Sequence, residues 1–253
     1  MAAMATSQLS GVRPSFVERS PLARAALEFA VERHAGQVRE GDHAPFVLHP
    51  LEVGALLSAA GYPDAVVATG VLHDVLEDTD TDIRELETRF GPAVARLVGQ
   101  LSDDSSIAAR HVRKAALRAQ VARGTVEAAA VFAADKVSKA RELRLRLSRG
   151  LFGDEVADKL AHYWASLAML EPKLGTGHPL LEQLRFELEA LETLPPGRDP
   201  RTRGQTASTF RSRSPLPPPV PSASPPASAA GDHPKPRDSS REPRALAEDH
   251  RGI

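Results

Sequence analysis

The residues from Gly70 to Thr81 read G-V-L-H-D-V-L-E-D-T-D-T, and four of them can hold a metal ion or a proton. His73, Asp74, Glu77 and Asp78 fall within six residues, flanked by apolar Val66, Val67, Val71, Leu72, Val75 and Leu76. Apolar residues recurring at i, i+3 and i+4 predict a buried helix through this stretch. At about 3.6 residues per turn, His73 and Glu77 then share a face, and so do Asp74 and Asp78. Ionisable groups in an apolar helix are costly unless something neutralises them. A divalent cation does so directly, because neutral imidazole and carboxylate are both ligands. A His-Asp pair by itself suits a protein surface; the apolar setting and the Glu-Asp pair one turn later favour a metal.

Two positions outside the stretch extend the set. His49 precedes it, and Asp135 ends V-E-A-A-A-V-F-A-A, a run that predicts an almost wholly buried helix. An aspartate there must be paired or metal-bound, a salt bridge to its basic neighbours being the alternative. The chain has no cysteine, so thiolate sites, thiol catalysis and disulfides are excluded and a metal must rest on His and carboxylates.

The elements that must position these groups read as helices. Aromatics make up only 4% of the 253 residues, whereas Ala, Leu, Val, Arg and Glu abound, which favours helices with small-residue packing. Ser20-Pro21 predicts a helix start that runs towards Gly36, with Ser20 as N-cap. A turn-rich loop follows, and Pro50 opens a helix to Gly61, placing His49 at its N-terminus. Pro63-Asp64 starts the central helix with Asp64 as N-cap; Thr81, with acidic Asp82 and Glu85 after it, starts the next, to Phe90-Gly91, and Gly91-Pro92 restarts another. Further helices are expected over about 108–123, from Val126 to Arg149, and near 154–173 and 179–194, with no strand and no repeat.

Residues 1–15 read as a flexible leader, 16–194 as one domain and 195–253 as a disordered tail. The tail holds 13 of the 21 prolines and almost no large apolar residues, too few to offset its ordering entropy. Its P-x-x-P steps between Pro215 and Pro221 suit an aromatic groove, but an unselective linker explains them as well, so a tail partner is unknown. A net charge of −1 gives no electrostatic case for nucleic acid or membrane binding. The N-terminus lacks a secretory pattern and no apolar run approaches about 18 residues, so a cytoplasmic protein is expected.

The order H…HD…ED…D resembles that of the HD superfamily of metal-dependent phosphohydrolases. The blocks H-A-G-Q-V-R (34–39), A-P-F-V-L-H-P (44–50), V-L-H-D-V-L-E-D-T (71–79), R-F-G (89–91), L-S-D-D (101–104) and A-A-D-K (133–136) narrow the match. They resemble the hydrolase domain of RelA/SpoT proteins, above all the stand-alone small alarmone hydrolases that cleave the 3′-pyrophosphate from ppGpp. The resemblance spans roughly residues 20–190 and implies an all-α HD-domain bundle. It implies that His49, His73, Asp74 and Asp135 bind one Mn²⁺, and that Glu77 and Asp78 position and deprotonate the attacking water. It places Arg39, Lys136, Lys139 and Tyr163 at a nucleotide, (p)ppGpp. Two positions depart from the pattern: Glu40 stands where the family has a base, and Lys139 where it has an asparagine. A nucleotidase acting on other nucleoside phosphates and a non-catalytic HD scaffold are the competing readings. The tail leaves no room for a synthetase domain, so the chemistry is expected to be hydrolytic only.

Overall fold

The structure, a computed structural model, describes residues 14–193 apart from 152 and 154; the expected leader up to residue 13 and the expected tail lie outside the described residues. Ten helices make up the described part, and its single β-bridge joins Val38 to Pro45. Helix α1 (Ser15–Arg19) is a short turn that the sequence reading assigned partly to the leader, and its Phe16 and Val17 are buried. Helix α2 (Pro21–Arg33) starts as expected, with the Ser20 hydroxyl accepting from the Ala23 amide at 3.1 Å. Helix α3 (Leu48–Ala59) starts two residues before Pro50. A proline is tolerated there, because the first-turn amides have no carbonyl to bond.

The central stretch is not one helix. Helix α4 (Asp64–Leu72) ends before His73, and a separate four-residue α5 (Val75–Asp78) begins after Asp74. Asp64 is the first helical residue and Pro63 occupies the cap position without a side-chain bond, so the expected Asp64 cap is not formed. Helix α6 (Ile83–Leu101) is capped by Asp82, whose Oδ1 accepts from the Arg84 and Glu85 amides. It bends at Gly91, where φ is +84° and Pro92 follows, so the expected stop and restart are both present. A positive φ is open to glycine at no steric cost.

Helices α7 (Arg110–Arg123), α8 (Val126–Ser148), α9 (Val156–Leu174) and α10 (Pro179–Thr193) complete the bundle. Helix α8 is its axis. Ala128 to Ser138 are all buried, and the helix packs against α3, α4, α6, α7, α9 and α10. Helix α4 is buried from Val66 to Leu72 and lies against α2, α3, α6 and α8. The α3–α4 crossing depends on two glycines. A Cβ at Gly54 would meet Val71 Cγ2 at 2.7 Å, and one at Gly70 would strike Leu57. Their absence lets the start of α3 and the end of α4 converge on α8, and each brings a polar residue to that point. No helix among the described residues is long and apolar enough to cross a membrane.

Candidate metal centre and anion cavity

His49 from α3, His73 and Asp74 from the α4–α5 break and Asp135 from α8 meet in the core, each at most 5% exposed. His49 Nε2 lies 3.3 Å from His73 Nε2, from Asp74 Oδ2 and from Asp135 Oδ1. His73 Nε2 is 3.1 Å from Asp74 Oδ1 and 3.6 Å from Asp135 Oδ1. Four donors this close suit ligation, because bonds of about 2.1 Å set at right angles put neighbouring donors about 3 Å apart. The donor atoms of His49, His73 and Asp135 form a group able to hold a metal ion, and Asp74 adjoins both imidazoles.

The hydrogen bonds around the cluster fix which atoms face its centre. Ser138 Oγ donates to Glu52 Oε2 at 2.7 Å, so its lone pair accepts from His49 Nδ1 at 2.9 Å. His73 Nδ1 donates to the Gly70 carbonyl at 2.8 Å. Both rings therefore spend their outer nitrogen on protein and turn Nε2 inward, the arrangement of metal-bound histidine. Asp74 Oδ2 is buried and accepts no hydrogen bond, and the buried Asp135 Oδ1 has only the Lys139 ammonium at 3.0 Å beside the imidazoles. An unbonded carboxylate oxygen is costly in a core, and a divalent cation would satisfy that of Asp74 and draw on that of Asp135. The residues present fit a metal.

Charge follows the same logic. Burial alone would lower His73, but the Asp74 charge, with Asp135, outweighs it and lifts the imidazole to about 10. Burial likewise opposes ionisation of Asp74 and Asp135. The cations nearby (His73 and Lys139 for Asp74, Lys136 and Lys139 for Asp135) hold both well below the usual carboxylate range. Both carboxylates are thus held ionised, the form that ligates a cation, and the same negative charge that draws a proton to His73 would draw a cation in its place.

The expected pair Glu77 and Asp78 sits beside this cluster on α5, not one turn further along the same helix. Glu77 lines a narrow recess with His73, Asp74 and Asp135, and its Oε1 accepts from the Asp103 amide at 2.8 Å. Desolvation raises its pKa, partly offset by Lys114. Asp78 faces a larger cavity, and desolvation and then the Asp74 charge raise its pKa too. The backbone carbonyl of Asp78 accepts from Gln37 at 2.7 Å, and Gln37 in turn bonds His34 at 2.8 Å. The H-A-G-Q and L-S-D-D blocks thus hold α5 from its two sides. Lys114 bonds Asp103 at 2.7 Å and had no recognisable signal within a basic helix.

The larger cavity, about 560 Å³, is lined by seven Lys or Arg side chains (39, 110, 114, 136, 139, 146 and 159) against Glu40, Asp78 and Glu142. Arg39, Lys136, Lys139 and Tyr163, the four residues that the resemblance places at a nucleotide, all line it. Arg39 is already paired with Asp42, and Lys136 is bonded to Asp135 Oδ2 and stacked 4.2 Å over Phe132. Burial brings Lys136 down to about 8 and raises the Tyr163 hydroxyl to about 12. Glu40, at the mouth, lies 3.3 Å from both Arg146 and Lys159. His162 also lines the cavity, and nothing in its sequence surroundings marks it. It accepts from Arg118 through Nδ1, and burial followed by the Lys136 charge lowers it to about 2, so it stays neutral.

A family model described as HD domain matches residues 26–172. The human guanosine-3′,5′-bis(diphosphate) 3′-pyrophosphohydrolase MESH1 is 33% identical over 163 residues, which span 63% of this chain and 89% of that protein. The enzyme of the same description from Aquifex aeolicus is 44% identical over 73 residues, 29% of this chain but 10% of that longer protein. A solved structure of a metazoan SpoT orthologue that hydrolyses ppGpp superposes with a TM-score of 0.61 at 25% identity. That match covers 73% of this chain and all of the other.

Proposed function

This chain belongs to the HD-domain family, and we propose that it is a metal-dependent hydrolase that removes the 3′-pyrophosphate of (p)ppGpp. The observation that carries the reading is a buried two-His, two-Asp cluster with an Asp74 oxygen that accepts no hydrogen bond, opening beside a cavity of predominantly positive charge. His49, His73, Asp74 and Asp135 would hold the metal, and Mn²⁺ is the ion this donor set is proposed to take. When bound, the cation supplies Lewis acidity and offsets charge on the phosphoryl oxygens.

The chain's own residues supply the rest. A water oxygen attacks the phosphorus bonded to the nucleotide's 3′ oxygen, that P–O bond breaks, and pyrophosphate departs, leaving the 3′ hydroxyl. Glu77, oriented by the Asp103 amide, and Asp78, facing the cavity, are placed to accept the water's proton. Their raised proton affinities suit a base working near neutral pH. Lys114, Lys139 and Arg110 oppose the charge of the phosphates in the cavity, and Tyr163 forms part of its wall.

One observation favours a second reading, a nucleotidase for other nucleoside phosphates. Glu40 takes up charge on Arg146 and Lys159 at the mouth, where a polyphosphate would want both free. A substrate panel with Mn²⁺ separates them: ppGpp, pppGpp, GTP, dGTP and GMP, with released pyrophosphate and phosphate measured separately. Pyrophosphate from ppGpp and pppGpp only is the expected result. Phosphate release from GTP or dGTP with none from ppGpp would replace the first reading by the second.

A further inference from the structure

Lys139 holds an unusual position. Its Nζ lies 3.0 Å from Asp135 Oδ1 and 3.8 Å from Asp74 Oδ1. The same Asp135 oxygen faces His49 Nε2 at 3.3 Å and His73 Nε2 at 3.6 Å. An ammonium and a divalent cation that draw on one oxygen repel each other. Two lysines flank the two carboxylates, but they differ in freedom. Lys136 is 4% exposed in its side chain, bonded to the outer oxygen of Asp135 and held over Phe132. Lys139 keeps a third of its side chain exposed and borders the large cavity. Only Lys139 can leave without unpacking the core.

We propose that Lys139 is a built-in competitor for the metal, occupying the carboxylates in the resting protein and yielding them when a phosphate-bearing ligand enters the cavity. The proposal rests on the metal site assigned above. Leaving Asp135 takes the ammonium into space bordered by six other Lys or Arg side chains, where like charge opposes it. A phosphoryl anion in the cavity reverses that balance and gives Nζ a new partner. Metal and anion then favour each other's binding, and the coupling is reciprocal. The resting site resists stray divalent ions, and it loads fully only with substrate present. Lys136, fixed to the other Asp135 oxygen, keeps Oδ1 turned towards the imidazoles throughout.

The test is Mn²⁺ affinity of the metal-stripped full chain, read from loss of the free aqueous Mn²⁺ paramagnetic resonance signal at constant ionic strength. Lys139→Met removes the charge at similar length, and Lys139→Gln also keeps a hydrogen-bond donor to Asp135 should the Met variant fold poorly. Both should bind Mn²⁺ at least tenfold more tightly than wild type. Sulfate, as a phosphate mimic, should tighten wild-type binding several-fold and leave the variants within twofold. Lys159→Met removes an equal charge from the same cavity without touching either carboxylate, and should change the Mn²⁺ affinity less than twofold. Unchanged or weaker binding in the Lys139 variants overturns the proposal, and so does an equal gain in Lys159→Met. If Asp74→Ala binds Mn²⁺ as wild type does, the metal site itself is wrong, a failure distinct from a lysine without effect at a working site.

Discussion

At the residue scale, ligands and bases can be told apart by what each loses on substitution. Asp74 supplies an oxygen that no hydrogen bond satisfies, so Asp74→Ala should leave the purified protein without bound metal and without turnover. Metal analysis showing equal content in both proteins would reject the ligand. Glu77 and Asp78 lie beside the cluster, so Glu77→Gln and Asp78→Asn should retain the cation while turnover falls by about 10² or more. The sign of the pH dependence follows from their environment. Both carboxyls bind a proton more tightly than they would in water. The active, ionised form is therefore lost on acidification at a higher pH than for the same carboxyl in water. The acid limb of kcat/KM should be displaced upward from that of a free carboxyl and change shape in Asp78→Asn. A limb at ordinary carboxylate pH, shared by wild type and both variants, would remove these residues from the proton transfer. These residue types and their order were legible because chemistry restricts them; Ser138 and Glu52, which orient His49, carry no such restriction and look like ordinary helix polar residues.

At the element scale, the α3–α4 crossing and the α4–α5 break decide where the site forms. Gly54→Ala would set a methyl 2.7 Å from Val71 Cγ2 and 3.2 Å from the Phe16 ring. Overpacking of that kind costs about 1–3 kcal/mol, against a helix-propensity gain of about 1 kcal/mol. The variant should lose about 1 kcal/mol in urea denaturation and bind Mn²⁺ more weakly, because His49 and His73 ride on the two helices. A variant as stable as wild type would show that the crossing relaxes. The helix periodicity through Gly70–Thr81 concealed the break. His73 and Asp74 both keep right-handed helical backbone angles, so apolar spacing continues past the point where the helix ends. What interrupts it is the demand of the cluster: Asp74 sits at the N-cap of α5 yet makes no cap bond, its carboxylate lying instead against the two imidazoles.

At the scale of the whole molecule, a polar chain ties the far helix to the site. Glu187 of α10 is 4% exposed and accepts from Arg141 at 3.1 Å and Arg144 at 2.7 Å; Arg141 also donates to Glu52, the partner of Ser138. Glu187→Ala should lower stability by about 2 kcal/mol, the scale of a charged hydrogen-bond pair lost from a buried position. Arg185→Ala breaks the more exposed Arg185–Glu171 pair and should cost no more than about 1 kcal/mol. Thermal melts of the two variants that coincide would refute the buried role of Glu187. Sequence alone determined the all-helical class, the start at Ser20, the kink at Gly91-Pro92, and the identity of the four clustered residues, while the next helix, expected from Thr81, is capped one residue later by Asp82. Each of these follows from local backbone preference or from side-chain chemistry, and both act within a few residues. The tertiary structure alone decided that His49, His73, Asp74 and Asp135 share one point, that α8 is the axis of the bundle, and that Lys139 lies against the carboxylates. Those facts depend on which helices cross and how closely, and that is set by packing between segments far apart in the chain.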